Sequence, residues 1–375
     1  MFFHRILMAL PVLLILMTID SCLRVSAQDK PGRAELLLPA KMDSLMSTVP
    51  DFSGVVHLAL DRGRTVFEKA YGFRSYHDKV PLKTTDLFEL ASISKTFTAM
   101  AIVSLKQEGM LSYDDPIAQY ISIPYPGITI RHLLNHTSGL PDYQAVMDQR
   151  WDKTKVAGNP DIIAYLSRYM PPAFFLPGEA YEYSNTGYVL LGSIVEKVSG
   201  MDFTVFCRNR FFNPLGMSRT DIRSNEAKKM IPDFTLGHIW VDARKQFIRA
   251  DSFPSSDYTI WLGNRKGPGR VSSNAQDLQN WDIALYESKL FSGIALEEAF
   301  TPGRLNNGKE IEYGFGWMIH HHEKLGRIIW HSGDNPGYRT RLMRYVDKGI
   351  TLIVLCNNAY PGFDRLMDKL EGLLY

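Results

Sequence analysis

Three short groups of residues in this chain carry functional groups that can work together. In Ser92-Ile93-Ser94-Lys95 a hydroxyl and an amine stand three residues apart, where a helix stacks them on one face. A serine hydroxyl becomes a nucleophile when a neighbouring base takes its proton. Lysine serves as that base if its surroundings lower its pKa several units from about 10.4. In Tyr183-Ser184-Asn185 a phenol can hand protons on if a nearby ammonium lowers its pKa, and a carboxamide offers both a donor and an acceptor. In His331-Ser332-Gly333 an imidazole can orient or charge-match a substrate group. The glycine permits close approach of backbone to a ligand. An N–H just beyond it can pair with one at the start of the Ser92 helix to hold an oxyanion. Each group alone also has a plainer reading. The first is a tetrad of common residues expected by chance, the second a turn favoured by Asn and Ser, the third a histidine beside the turn Gly333-Asp334-Asn335-Pro336-Gly337.

The surrounding elements predict how these groups are held. Residues 52–60 and 65–71 are rich in strand formers and flank the turn signal Asp61-Arg62-Gly63-Arg64, so they read as a hairpin. From Ser92 onward apolar residues recur at helical spacing (Phe97, Ala101, Leu105), and Gly109 supplies a stop. This predicts a helix of about five turns. It is apolar on more than one side and therefore central. Ser92 falls at its N-terminus, where free N–H groups and the dipole favour developing negative charge. Tyr183-Ser184-Asn185 falls on a loop before a helix beginning at Gly187. Helices are predicted over 161–170, 188–198 and 275–286, strands over 313–320, 327–331, 339–345 and 350–355, and a closing helix over 364–374. Strands at both ends with helices between them argue one sheet built from distant segments, covered by helices, with a helical region inserted in the middle.

Of the 375 residues, 45% are hydrophobic and 22% charged, an ordinary globular composition. Forty-two basic against 40 acidic residues give +2, and the charges are scattered, so nothing points to nucleic acid or a membrane surface. Cys207 and Cys356 read as small buried hydrophobes rather than a disulfide. No Cys/His cluster has zinc spacing, and His320-His321-His322 on a strand points its rings to alternate faces.

In order and spacing, Ser92-x-x-Lys95, Tyr183-x-Asn185 and His331-x-Gly333 resemble the motifs of the serine hydrolase superfamily of class C β-lactamases, DD-carboxypeptidases and related esterases. Leu133-Leu134-Asn135-His136-Thr137-Ser138-Gly139-Leu140-Pro141, Asn213-Pro214-Leu215-Gly216-Met217 and the stretch from Val271 to Leu278 are similar to family segments too. The resemblance implies an α+β fold, an antiparallel sheet flanked by helices with an inserted all-helical subdomain at about 110–270. It implies that Ser92 becomes acylated, that Lys95 and Tyr183 share proton transfer, and that Asn185 holds Lys95 or the acyl side chain. His331 takes the place of a lysine in the third motif, with Gly333 beside the substrate. Backbone N–H groups of Ser92 and Asp334 form the oxyanion hole. No metal or organic cofactor is implied, and the partner is a small-molecule or peptide substrate, with peptidoglycan-type D-Ala peptides the natural class. His-Ser-Gly in place of Lys-Thr-Gly places the chain nearer the DD-peptidase and esterase branches than the true β-lactamases. A class C-type β-lactamase and a penicillin-binding sensor that acylates without turnover are the alternatives.

The N-terminus has the order of a secretory signal. His4 and Arg5 precede an apolar run of 12 residues from Ile6 to Met17, and Val25-Ser26-Ala27-Gln28 offers a cut after Ala27. Such a run is shorter than the roughly 20 residues that span a bilayer. Residues 1–27 are thus expected to be removed and 28–375 to form an exported, periplasmic or secreted, hydrolase domain. An uncleaved anchor and a lipid on Cys22 are the other readings of this segment.

Overall fold

The computed structural model describes residues 33–375 apart from Ser288. The expected signal segment lies outside the described residues. The chain divides after Leu37, and the unit built around the sheet runs from Leu38 to Tyr375.

One six-stranded antiparallel sheet joins the two ends of this unit. Helix α1 (Arg33–Ser47) precedes β1 (Gly54–Leu60) and β2 (Arg64–Tyr71), and the C-terminal part supplies β3 (Met318–His322), β4 (Gly326–Asn335), β5 (Tyr338–Tyr345) and β6 (Ile350–Cys356). The spatial order is β3-β4-β5-β6-β1-β2, so the distant segments meet where β1 pairs with β6, Val55 opposite Leu355 and Val56 opposite Val354. Every residue of β1 is buried, which requires cover on both faces. Because side chains alternate, Val55, Ile353 and Leu355 face a core shared with Phe97, Met100 and Trp281. Val56, Leu352 and Val354 face the opposite core, with Met42 and Met46 of α1 and Phe363 and Leu366 of the closing helix, Phe363–Glu371.

Helix α2 (Ser94–Gln107) is buried from Ser94 to Leu105 without a break, the central helix that its apolar pattern predicts. At 14 residues it has about four turns. A 3₁₀ turn, Ala91–Ile93, leads into it and carries Ser92. Helices α3 (Asn185–Ser199) and α4 (Ala275–Glu287) pack around it, Phe97 lying 4.5 Å from Trp281 between ring centroids. Helix α4 is tied to the sheet by polar side chains. His57 binds Glu68 and Gln279, and Arg344 Nε donates to Asp282 at 2.5 Å with both residues almost wholly buried.

The region at 110–270 carries several helices joined by long loops, and two features in and beside it are absent from the sequence reading. A hairpin joins His238–Val241 to Gln246–Arg249. A small sheet pairs Val271–Ser273 with both Phe88–Glu89 and Asp221–Ile222. The second feature matters for the site, because Leu90 N donates to Val271 O at 2.9 Å and so anchors the turn bearing Ser92. Strand β3 begins at Met318 rather than at Tyr313: Gly316, at φ +80°, approaches α2 so closely that a Cβ would sit 2.6 Å from the Ala99 Cβ. His320–His322 lie on β3 as expected, and Cys207 and Cys356 are buried free thiols.

Candidate active site

The amine of Lys95 is the centre of the site. It is fully buried and reaches three oxygens: Ser92 Oγ at 3.0 Å, Asn185 Oδ1 at 2.8 Å and the carbonyl of Pro268 at 3.2 Å. Burial first, and then the Arg265 guanidinium, hold its pKa well below the usual lysine value. That shift favours the free amine, which has two N–H donors and one lone pair. Asn185 Oδ1 and Pro268 O can only accept, so they take the two protons. Ser92 is the one neighbour with a proton to give, and the lone pair is left facing it. This is the geometry of a base poised on a nucleophile.

Local sequence explains each position. Ser92 sits one turn before Lys95, partly open while the lysine is closed off. Ala91, just before it, takes φ +49°, a strained value for a residue other than glycine. Asn185 is the first residue of α3 rather than part of a loop, because Ser184 caps the helix by accepting from Gly187 N at 3.1 Å. Of the two roles implied for Asn185, the contact present is with Lys95. The Pro268 carbonyl is fixed by its flanks, where Thr98 donates to Gly267 O at 2.7 Å and Val271 N donates to Ser94 Oγ at 3.1 Å. No motif in the sequence marked this carbonyl.

Tyr183 is half-buried, and its ring lies 4.6 Å from the Lys95 amine. The expectation that an ammonium lowers its pKa is corrected. Burial pushes the phenol well up, against a hydrogen bond with Ser92 that lowers it, and the neighbouring lysine carries no charge to reverse this. Tyr183 is a proton donor at rest.

His331 needs a larger correction. It is buried, Nδ1 lies 2.6 Å from the carbonyl of Ser332, and Nε2 lies 3.0 Å from the Tyr313 hydroxyl. Nδ1–H donates to the carbonyl and the phenol donates to Nε2, a neutral ring with both nitrogens used. Burial pushes its pKa down to about 3. It cannot charge-match a substrate carboxylate. Its place is 6.2 Å from the Tyr183 ring, as part of the wall. His136 lies in the segment from Leu133 to Pro141. It accepts from Ser184 N at 3.0 Å and packs against Tyr183, Tyr188 and Tyr313, steadying the entry to α3.

Gly333 and Asp334 lie on β4. A Cβ on Gly333 would stand 2.1 Å from the Leu90 carbonyl, so only glycine lets β4 pack on the Ser92 turn. The β4–β5 hairpin closes over Pro336-Gly337, with Asn335 opposite Tyr338. The flanking pair in such a hairpin is hydrogen-bonded, and alternate pairs are open. Asp334, opposite Arg339, thus turns its N–H away from β5. Strand β3 ends its pairing at Trp330, so that N–H reaches a bare edge. Its carboxylate is exposed, 3.6 Å from Arg339, and takes no part in the site.

Comparison with known proteins gives the family. The profile of the β-lactamase family matches residues 42–375. The chain belongs to this family of serine hydrolases. It is 42% identical over 308 residues to penicillin-binding protein 4* of Bacillus subtilis strain 168, covering 82% of this chain and 68% of that protein. It is 25% identical over 345 residues to a D-aminopeptidase of Cereibacter sphaeroides, covering 90% of this chain and 63% of the other. The chain thus spans about two thirds of the length of these relatives. The solved penicillin binding protein from Bacillus halodurans superposes with a TM-score of 0.76 at 25% identity, covering 88% of this chain and 98% of that one.

Proposed function

We propose that this hydrolase works through an acyl-enzyme on Ser92 and cleaves an amide, peptide or ester in the manner of a DD-peptidase or esterase. The observation that carries this reading is the buried Lys95 amine, 3.0 Å from Ser92 Oγ and held by Asn185 Oδ1 and the Pro268 carbonyl, with its pKa lowered by burial. Ser92 Oγ attacks the carbonyl carbon as its proton passes to Lys95 Nζ. The oxyanion is held by the N–H groups of Ser92 and Asp334. Tyr183 protonates the leaving group and regains a proton from Lys95, and Lys95 then takes a proton from the water that attacks the acyl carbon and returns it to Ser92 Oγ as the acyl–Oγ bond breaks. The chain's own residues account for every proton in this cycle.

Penicillin-binding and D-aminopeptidase relatives support peptide-like substrates, with peptidoglycan-derived D-Ala peptides first among them. The signal-like residues 1–27 support export. Among the described residues no helix is long and apolar enough to cross a membrane. A true β-lactamase is less well supported, because the third motif offers a neutral imidazole where a fixed ammonium stands in that branch.

The test is acylation by a reactive acyl ester, read by mass on intact protein. Labelling of the wild type and none of Ser92→Ala is the expected result. Equal labelling of both overturns the reading.

A further inference from the structure

Tyr183 stands on irregular backbone. Residues 180–184 form no helix or strand, and α3 begins only at Asn185. A proton donor placed there needs its main chain held by other means, because a displacement of about 1 Å is worth on the order of 10²-fold in rate. The amides on either side of it are both held by one residue far upstream. Glu182 N donates to the His136 carbonyl at 3.0 Å, and Ser184 N donates to His136 Nδ1 at 3.0 Å. The imidazole also lies against the Tyr183 ring, with 4.4 Å between centroids. His136 is itself anchored through its neighbour, where Thr137 N donates to the His132 carbonyl at 2.9 Å and Gly178 N to the Thr137 carbonyl at 2.8 Å.

The ring nitrogens show what histidine adds at this position. Nδ1 accepts, so the neutral ring carries its proton on Nε2. Nε2 is buried and has no hydrogen-bond partner among the described residues. A buried donor left without a partner is costly. A purely apolar ring would pack against Tyr183, Tyr188 and Tyr313 without that cost. The gain that offsets it is the acceptor for Ser184 N. The backbone of His136 takes φ +60°, a left-handed value that histidine and asparagine adopt more readily than most residues.

We propose that His136 is the positioning residue for Tyr183: its carbonyl and Nδ1 clamp the chain on both sides of the phenol and set where the hydroxyl stands relative to Ser92. The inference rests on the Ser92 hydrolase reading with Tyr183 as the leaving-group acid. It adds a wholly buried residue that acts only through that tyrosine. A change at His136 therefore imitates a change at Tyr183 rather than one at Lys95. It costs most where the leaving group must take up a proton.

The experiment compares kcat/KM for a peptide amide and an activated ester on the same samples, so the ratio does not depend on how much of each variant has folded. Tyr183→Phe is the benchmark. His136→Phe keeps an aromatic ring and removes the acceptor. Its amide-to-ester ratio is expected to fall about tenfold or more. In the double variant the ratio should fall no further than in Tyr183→Phe alone. His136→Asn puts Oδ1 in the place of Nδ1, suits the left-handed backbone, and is expected to keep most of the ratio. Where Tyr183→Phe lowers the ratio, any of three results overturns the proposal: no fall in His136→Phe, losses that multiply in the double variant, or an Asn variant no better than the Phe variant. Hydrogen exchange at the Ser184 amide reads the clamp without turnover. The amide should be protected in the wild type and His136→Asn and exchange faster in His136→Phe. Equal protection in all three also overturns the clamp. Failure of acyl labelling at Ser92, or an unchanged ratio in Tyr183→Phe, sinks the hydrolase mechanism instead, and the exchange rates then decide the clamp alone.

Discussion

The hydroxyl of Tyr313 and Nε2 of His331 stand 3.0 Å apart, and this contact fixes the charge of the third motif. With Nδ1–H given to the Ser332 carbonyl, the ring has no room for a second proton unless the phenol turns away. Burial adds to this, and the pKa falls to about 3 from 6.5. The histidine is a structural part of the wall.

The neutral ring gives a stability prediction with a definite sign. The unfolded chain protonates His331 near 6.5 and the folded protein only near 3. Below about 6.5 the unfolded state binds a proton that the native state refuses. The contribution is full above that pH and declines as pH falls toward about 3. His136 is lowered by burial in the same direction. Melting temperature against pH should therefore fall less steeply on the acid side in His331→Gln than in the wild type. Parallel curves would show that the ring takes up its proton in the native state.

Lys95 governs the pH dependence of catalysis. Its pKa is lowered, so the active form is the free amine, and activity falls as pH drops and the amine protonates. Arg265 is one cause of the lowering. Removing that cation in Arg265→Met raises the Lys95 pKa and moves the acid limb of kcat/KM to higher pH. Lys95→Met should cost about 10²–10⁴-fold in acylation rate, the range of a lost general base. An acid limb that stays fixed in Arg265→Met assigns it to another group.

Gly333 holds β4 against the nucleophile turn. In Gly333→Ala the new methyl meets the Leu90 carbonyl at 2.1 Å and Thr340 Oγ1 at 2.3 Å, so the strand or the turn must shift. A displacement of about 1 Å between nucleophile and oxyanion donors is worth on the order of 10²-fold in rate. The expected variant keeps its circular dichroism and acylates about 10²-fold more slowly. Wild-type acylation would show that the contact is not felt at the site.

The parts legible in the sequence are those carried by short-range pattern. Val55 and Val56 lie in a run of strand formers that predicted β1, and Phe97 to Leu105 predicted the buried helix that presents Lys95. The Ser92, Tyr183 and His331 motifs named residues that the fold does bring into one cluster. The parts not legible there depend on partners far away in the chain. The Pro268 carbonyl is a backbone atom with no residue-type signature, and it meets Lys95 only because residues 267–271 run along α2. Protonation states escaped for the same reason. Tyr183 and His331 titrate according to what buries them, and Tyr313, 18 residues upstream, was read as the start of a strand.

The raised phenol of Tyr183 separates its role from that of Lys95. A protonated tyrosine beside the reacting bond is an acid, so it matters most when the leaving group must take up a proton, as an amine does. An activated ester, whose leaving group departs as a stable anion, has little need of it. Tyr183→Phe should therefore lower amide or peptide turnover by about 10²-fold or more while activated-ester turnover falls far less. Lys95→Met should depress both, because both need the Ser92 proton removed. Measured side by side, equal losses on ester and amide in Tyr183→Phe would move Tyr183 from leaving-group acid to positioning of Ser92, which its hydrogen bond with that hydroxyl also permits.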